Sequence, residues 1–192
     1  MPSAFHLAAD SFSSDLPMHR VRRISAGMVW ACRALMVLMP LALVVYWGWA
    51  GADQLAASAQ LAPALLMAPL EPWQRWAGGA AMALPLGLLL VGVAKARRCF
   101  QQFALGDVFT LEATALLRGF AGWVAAAALG AIVATSVASG VLTLNNPPGM
   151  RQLAVAISSD HVFTLFFAAT VWLMAAVIGQ GQALVEENKG FV

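Results

Sequence analysis

Four long apolar runs, separated by short polar segments, dominate the chain. No charged residue occurs over residues 34–52 or over residues 76–94. A third run is free of charge over residues 119–150, and a fourth extends over about residues 161–178. Because about 20 apolar residues in a helix cross the hydrocarbon core of a bilayer, this pattern predicts four membrane-spanning helices.

Composition leads to the same class of protein. Apolar residues make up 61% of the chain and charged residues 10%, whereas a soluble domain is nearer half apolar and a quarter charged. We therefore predict an all-α membrane protein, a four-transmembrane-helix bundle formed by residues 24–192. The spans are expected at about 27–50, 76–104, 111–144 and 160–185, with some of them extending into the cytoplasm.

Residues 1–23 are polar, with scattered serines, and predict a flexible cytoplasmic tail. An alternative is a signal peptide, since Ala50-Gly51-Ala52 resembles a small-residue cleavage site behind an apolar core. The long tail and the bulky aromatic residues beside that core favour a retained first span. The net charge of +2 is too small to indicate direct binding of nucleic acid.

The positive charges predict the orientation. Nine of the eleven lysines and arginines fall on one face if four spans are drawn with both termini on that face. By the positive-inside rule that face is cytoplasmic, which predicts an N-in/C-in protein of a bacterial inner membrane. The nine residues are Arg20, Arg22, Arg23, Arg33, Lys95, Arg97, Arg98, Arg118 and Lys189.

The opposite face is expected to be simpler. Tyr46, Trp47 and Trp49 predict an aromatic belt at the outer end of the first span. Residues 53–75 predict an outer loop, whose apolar stretch LAPALLMAPL is too short to span and should lie in the interface or over the helix ends. A ligand-binding lid is the alternative for this loop.

The segment KARRCFQQFALGDVFTLEATALLRGF, residues 95–120, predicts a cytoplasmic elbow between the second and third spans. Gly106 can take positive φ and is the expected helix terminator. Thr110 is the expected N-cap of the third helix, and Glu112 in its first turn complements the helix dipole. Phe109 is expected to staple onto that first turn, and Phe100 and Phe103 should share one helix face.

Two motifs resemble a known family. GDVFTLE and LLRxFxG stand in the elbow, and GQALVEENKGFV forms the C-terminus. Together they resemble the bacterial membrane family known as domain of unknown function 2975 (DUF2975), over about residues 30–192. The resemblance implies a four-helix inner-membrane protein without an established enzyme activity. Some relatives are encoded beside small helix-turn-helix regulators, which implies a cytoplasmic regulatory partner.

The elbow and the C-terminal tail are predicted to touch, because one is basic and the other carries Glu186 and Glu187. Anionic lipid is the alternative partner of the basic cluster. The elbow and the tail form the candidate cytoplasmic interaction face: Arg97, Arg98, Phe100, Phe103, Gly106, Asp107, Phe109, Thr110, Glu112, Arg118, Glu186 and Glu187.

The preferred function is a non-catalytic membrane protein that acts through this face as a regulatory or sensory partner. No enzyme motif, catalytic residue, metal site or cofactor is predicted. A small transporter or channel subunit is the alternative, supported by Pro40 and Pro85 in the middle of two spans. Against it, no ionisable residue is expected near mid-membrane, since Asp160 and His161 are placed at the outer end of the fourth span.

Overall fold

The computed structural model describes residues 4–106 and 110–189, with side chains for residues 20–106 and 110–182. Within these ranges the regular structure is helical, and four of the five α-helices are long and apolar enough to cross a membrane. This confirms the predicted all-α, four-span architecture of a multi-pass membrane protein. The five helices are α1 (Ala4–Trp49), α2 (Ala52–Ser58), α3 (Pro72–Leu105), α4 (Leu111–Leu142) and α5 (Ser159–Lys189).

The four long helices lie in the order α1–α3–α4–α5. Within the described residues, α3 packs on both α1 and α4, and α5 packs on α4. In the most apolar part of each helix, 39% of α4 and 22% of α3 are buried, against 11% of α1 and 11% of α5. The centre of the fold is therefore the α3–α4 pair, and α1 and α5 are its two flanks.

Neighbouring long helices are antiparallel. The first half of α1 meets the end of α3, where Arg22 Nε donates to the carbonyl of Ala104 at 3.0 Å. The C-terminal part of α5 meets the start of α4, where a methyl group on Gly179 would lie 3.6 Å from Thr114 Oγ1. These parts of α1 and α5 therefore lie toward the end that carries the α3–α4 turn. We call it the elbow end and the opposite one the loop end.

Trp47 anchors α1 to α3 at the loop end. Its side chain is 2% exposed and lies directly against Gly78 and Gly79 of α3. Arg75 strengthens the same junction, since its guanidinium donates to the carbonyls of Gly48 (3.0 Å) and Ala50 at the end of α1. The prediction that Trp47 belongs to an interfacial belt is wrong, because two adjacent glycines open a space on α3 that its indole fills.

Residues 53–75 are more ordered than the predicted loop. They contain most of α2, a single 3-10 turn (Pro63–Leu65) and the first turn of α3. Leu55, Ala56 and Leu61 are buried against Trp47 and Leu142. The segment thus packs over the helix ends, which is one of the two positions that its apolar composition predicts.

The first helix is longer than predicted. α1 begins at Ala4, so residues 4–23 are helical where we expected a flexible tail. A helix that continues from an existing span needs no new nucleation, and residues 4–23 contain a single proline, Pro17. The physical reason for the difference is therefore propagation from the membrane-spanning part.

Candidate functional site

The elbow turn has the local structure that its sequence predicts. α3 ends at Leu105, and Gly106 follows with φ of 103° in the left-handed region, where glycine is favoured. α4 begins at Leu111, and Thr110 Oγ1 accepts a hydrogen bond from the amide of Ala113 at 3.1 Å. The predicted terminator and N-cap are both confirmed. Asp107 and Phe109 lie outside the described residues, so the predicted staple stays a prediction.

An aromatic pair lies on the last turns of α3. The rings of Phe100 and Phe103 are 6.3 Å apart between centroids and meet edge to face at 72°, which confirms that they share one helix face. Both are half-buried. Beside them Cys99 is 1% exposed, and its Sγ donates to the carbonyl of Ala113 at 3.6 Å. The hydrogen bond from Cys99 to Ala113 therefore links the two helices of the elbow beside the aromatic pair.

The charged residues of the elbow differ in accessibility. Arg98, Glu112 and Arg118 are exposed, and Arg97 is half-buried. The Nε atom of Arg97 is buried and forms no hydrogen bond within the described part of the chain. Among the described residues of the elbow, residues 95–120, two cationic side chains are thus exposed, Arg98 on α3 and Arg118 on α4.

The predicted contact between the elbow and the C-terminal tail involves side chains that the structure does not describe. Glu186 and Glu187 lie within the helical range of α5, which ends at Lys189. Their side chains are outside the described set, so the contact stays a prediction. The position of Gly179 beside Thr114 does bring the last turns of α5 to the elbow end.

A second candidate site lies in an open cavity between three helices, and the sequence did not predict it. Before α5, residues 151–158 form no helix, and they run back along α4 as an extended segment. The amide of Ala154 donates to Ser139 Oγ at 2.8 Å, and the amide of Gln152 donates to Thr143 Oγ1 at 3.2 Å. α5 therefore starts well below the loop end of α4.

The first turn of α5 lines a cavity of about 310 Å³ between α3, α4 and α5. Its walls are mostly apolar, and Asp160, His161 and Thr164 supply the polar side chains. We call it the intramembrane cavity. The residues that line it from α3 and α4 are Pro85, Leu86, Leu89, Val124, Ala127, Ala128 and Ala131.

The depth of this cavity follows from its α3 residues. Pro85 is ten residues from Arg75 and ten from Lys95, the charges that bracket the apolar run of α3. At a rise of 1.5 Å per residue it lies about 15 Å from each. On the neighbouring helix α4, a methyl group on Gly130 would lie 3.7 Å from Pro85 Cβ, so Gly130 is at the same depth as Pro85. Asp160 and His161 thus line a cavity near the middle of the apolar layer.

The cavity lining places Asp160 and His161 level with the middle of the uncharged run of α3, so the expectation that they lie at the outer end of a span holds for α5 itself but not relative to its neighbours. It assumed that the fourth helix starts at the membrane surface, as the other spans do. Instead the extended segment crosses the outer part of the apolar layer, and α5 starts only where this segment ends. The sequence does carry a signal for it, since Leu153, Val155 and Ile157 are exposed and alternate with small residues, which is the period of an extended strand.

His161 is anchored at the rim of the cavity by Ser158. The amide of Ser158 donates to His161 Nδ1 at 3.3 Å, and Ser158 Oγ lies 2.6 Å from the same nitrogen. Because Nδ1 accepts from a backbone amide, the neutral ring carries its hydrogen on Nε2. Asp160 belongs to the same first turn of α5, where a carboxylate interacts favourably with the helix dipole.

No metal-binding cluster of three or more His, Cys, Asp or Glu side chains occurs among the described residues. Comparison with family models, with curated proteins and with solved structures gave no match for this chain. The resemblance carried by the elbow and C-terminal motifs stays a prediction.

Proposed function

We propose that the chain is a non-catalytic protein of a bacterial inner membrane that acts on a cytoplasmic regulator protein through its elbow end. The orientation rests on the positive-inside rule, which assigns nine of the eleven basic residues to this end. Both termini are then cytoplasmic. The lipid bilayer is the second partner, since the flanking helices α1 and α5 have largely exposed apolar surfaces.

The observation that carries this proposal is the construction of the elbow. Gly106 ends one helix in the left-handed region and Thr110 caps the next, so the turn is closed at both sides by specific local structure. Arg98 and Arg118 are exposed on the two helices of the elbow, and α3 also carries the Phe100–Phe103 pair. Arginine and aromatic side chains are the residue types that contribute most to protein interfaces, and a capped turn presents them in a defined geometry.

Photocross-linking in intact cells tests the proposal. A benzophenone amino acid is placed at Arg98 or Glu112, which are exposed at the elbow end, and as a matched control at Leu144, which is exposed at the loop end. We expect both elbow positions, and not the control, to capture one soluble protein with a helix-turn-helix domain. The same capture should fall at least fivefold when Arg118 is replaced by Glu in the Glu112-labelled protein. Capture of lipid alone, or equal capture from Leu144, would contradict the proposal.

A small transporter or channel subunit is the second candidate function, favoured by one specific observation. Ionisable side chains within a membrane mark ion or substrate pathways, and Asp160 and His161 line a cavity beside Pro85. Interrupted spans whose helices start at membrane depth are a recurrent feature of transporter sites. Uptake into proteoliposomes that is lost in an Asp160→Asn variant would support this candidate, and unchanged uptake would argue against it.

A further inference from the structure

The intramembrane cavity combines apolar walls with a single acidic group. α3 contributes Pro85, Leu86 and Leu89, and α4 contributes Val124 and three alanines, none of which can ionise. Among the described side chains, the titratable ones that face the cavity are Asp160 and His161 of α5. The same described lining contains no lysine or arginine. A ligand inside it would meet hydrocarbon on most sides and a carboxylate at one end.

The nearest basic residues along α3 are engaged elsewhere. Arg75, at the loop end, donates to the carbonyls of Gly48 and Ala50 on α1. The stem of Lys95 lies over Gly119 of α4, toward the elbow end. Neither contact leads to the cavity, so these two cations leave the Asp160 carboxylate uncompensated.

His161 does not supply the missing positive charge in its neutral state. Its Nδ1 accepts from the amide of Ser158, which leaves the hydrogen on Nε2. Thr164 does not neutralise Asp160 either, because its hydroxyl donates to the backbone carbonyl of Asp160 at 2.7 Å and not to the carboxylate. The Asp160 side chain is exposed in the first turn of α5, so its carboxylate is accessible to a ligand in the cavity, and a cation is the group that would pair with it there.

We propose that the intramembrane cavity binds a small lipophilic cation, with the Asp160 carboxylate as its counter-ion. The cavity volume of about 310 Å³ is at the lower end of the range for ligand sites and corresponds to roughly 10–15 non-hydrogen atoms. The apolar body of such a ligand would contact the α3 and α4 walls. Its ammonium group would lie beside Asp160, at the one position where the lining offers a negative charge.

The test uses the full chain in lipid nanodiscs and isothermal titration with benzyltrimethylammonium. Neopentylbenzene, its neutral isostere, measures the apolar contribution alone. We expect saturable binding of the cation at pH 7.5, at least tenfold tighter than that of the isostere. Asp160→Asn should weaken binding of the cation at least tenfold, whereas Asp53→Asn, which changes an exposed carboxylate in the first turn of α2, should leave it unchanged.

A second variant tests the cavity without touching the charge. Ala131→Phe fills part of the lining and should weaken both the cation and the isostere at least tenfold, with helix content by circular dichroism unchanged. Equal binding of the cation to the wild type and to Asp160→Asn would overturn the proposal. Equal affinity for the cation and the isostere would also overturn it, since the cavity would then be a general apolar space. Neither of these two results depends on whether the elbow binds a regulator.

Discussion

The indole of Trp47 fills the space that a methyl group on Gly78 would need. An added Cβ would collide with Cζ3 of the indole and would lie only 2.6 Å from its Cη2. Both groups are at the buried junction of α1 and α3, where the ring has little freedom to move. This single contact therefore sets how closely the first two spans approach.

Gly78→Ala should destabilise the fold. Overpacking of a well-packed site costs about 1–3 kcal/mol, which exceeds the gain of about 0.5–1 kcal/mol that alanine brings to a helix interior. Gly87→Ala is the matched control, because Gly87 is in the same helix and has nothing within 4 Å of an added Cβ. The free energy of unfolding in mild detergent measures both. A Gly78→Ala protein as stable as Gly87→Ala would contradict the assigned contact.

Ser139→Ala should loosen the extended segment. Ser139 Oγ accepts from the amide of Ala154 at 2.8 Å and also donates to the carbonyl of Ser136. Its loss leaves an amide without its partner at membrane depth, which costs about 1–3 kcal/mol. Ser136→Ala is the control, because Ser136 Oγ donates only locally, to the carbonyl of Ile132 at 3.0 Å. Hydrogen exchange at Ala154 should accelerate in the first variant and remain slow in the second.

The helix cap of the elbow can be tested alone. Thr110→Ala removes the acceptor of the Ala113 amide and should cost about 1 kcal/mol of helix stability, whereas Thr110→Ser keeps the acceptor. Hydrogen exchange at Ala113 reports the difference. If the elbow is the surface that binds a regulator, Thr110→Ala should also reduce cross-linking from Arg98, and Thr110→Ser should not. Equal exchange in the two variants would mean that Thr110 does not act as a cap.

The depth of α5 gives a direct physical measurement. Phe163 and Leu84 are both exposed and can carry spin labels. The packing of α3, α4 and α5 places these two positions at nearly the same depth. A label at Trp76 should be about 12 Å shallower, because it is eight residues from Leu84 along α3. Power saturation with oxygen and a nickel chelate measures all three, with Cys32 and Cys99 replaced by alanine. Equal depths at Phe163 and Trp76 would show that α5 begins at the membrane surface.

The sequence predicts best what local chemistry determines. Gly106 and Thr110 act on their own turns, so a terminator and a cap are recognisable without a neighbour. The role of Trp47 is different, because it depends on a pair of glycines about thirty residues away. From the sequence alone, an indole next to a membrane boundary is compatible both with an interfacial aromatic belt and with a buried helix junction.

The depth of Asp160 could not be predicted for a related reason. The start of α5 was predicted within one residue, at 160 against Ser159. Its position along α4 is set by the bonds of the extended segment to Ser139 and Thr143, which are side chains of another helix. A helix boundary is a local property, whereas its depth is a property of the packed chain.

The extended segment also gives the molecule a different outline in each leaflet. Toward the elbow end four helices cross the half-bilayer, while toward the loop end three helices cross it beside one extended segment. A helix with its side chains is about 10 Å across, and a single extended segment is narrower. The cross-section is therefore wedge-shaped, and we expect the protein to fit best where the membrane bulges toward its elbow side.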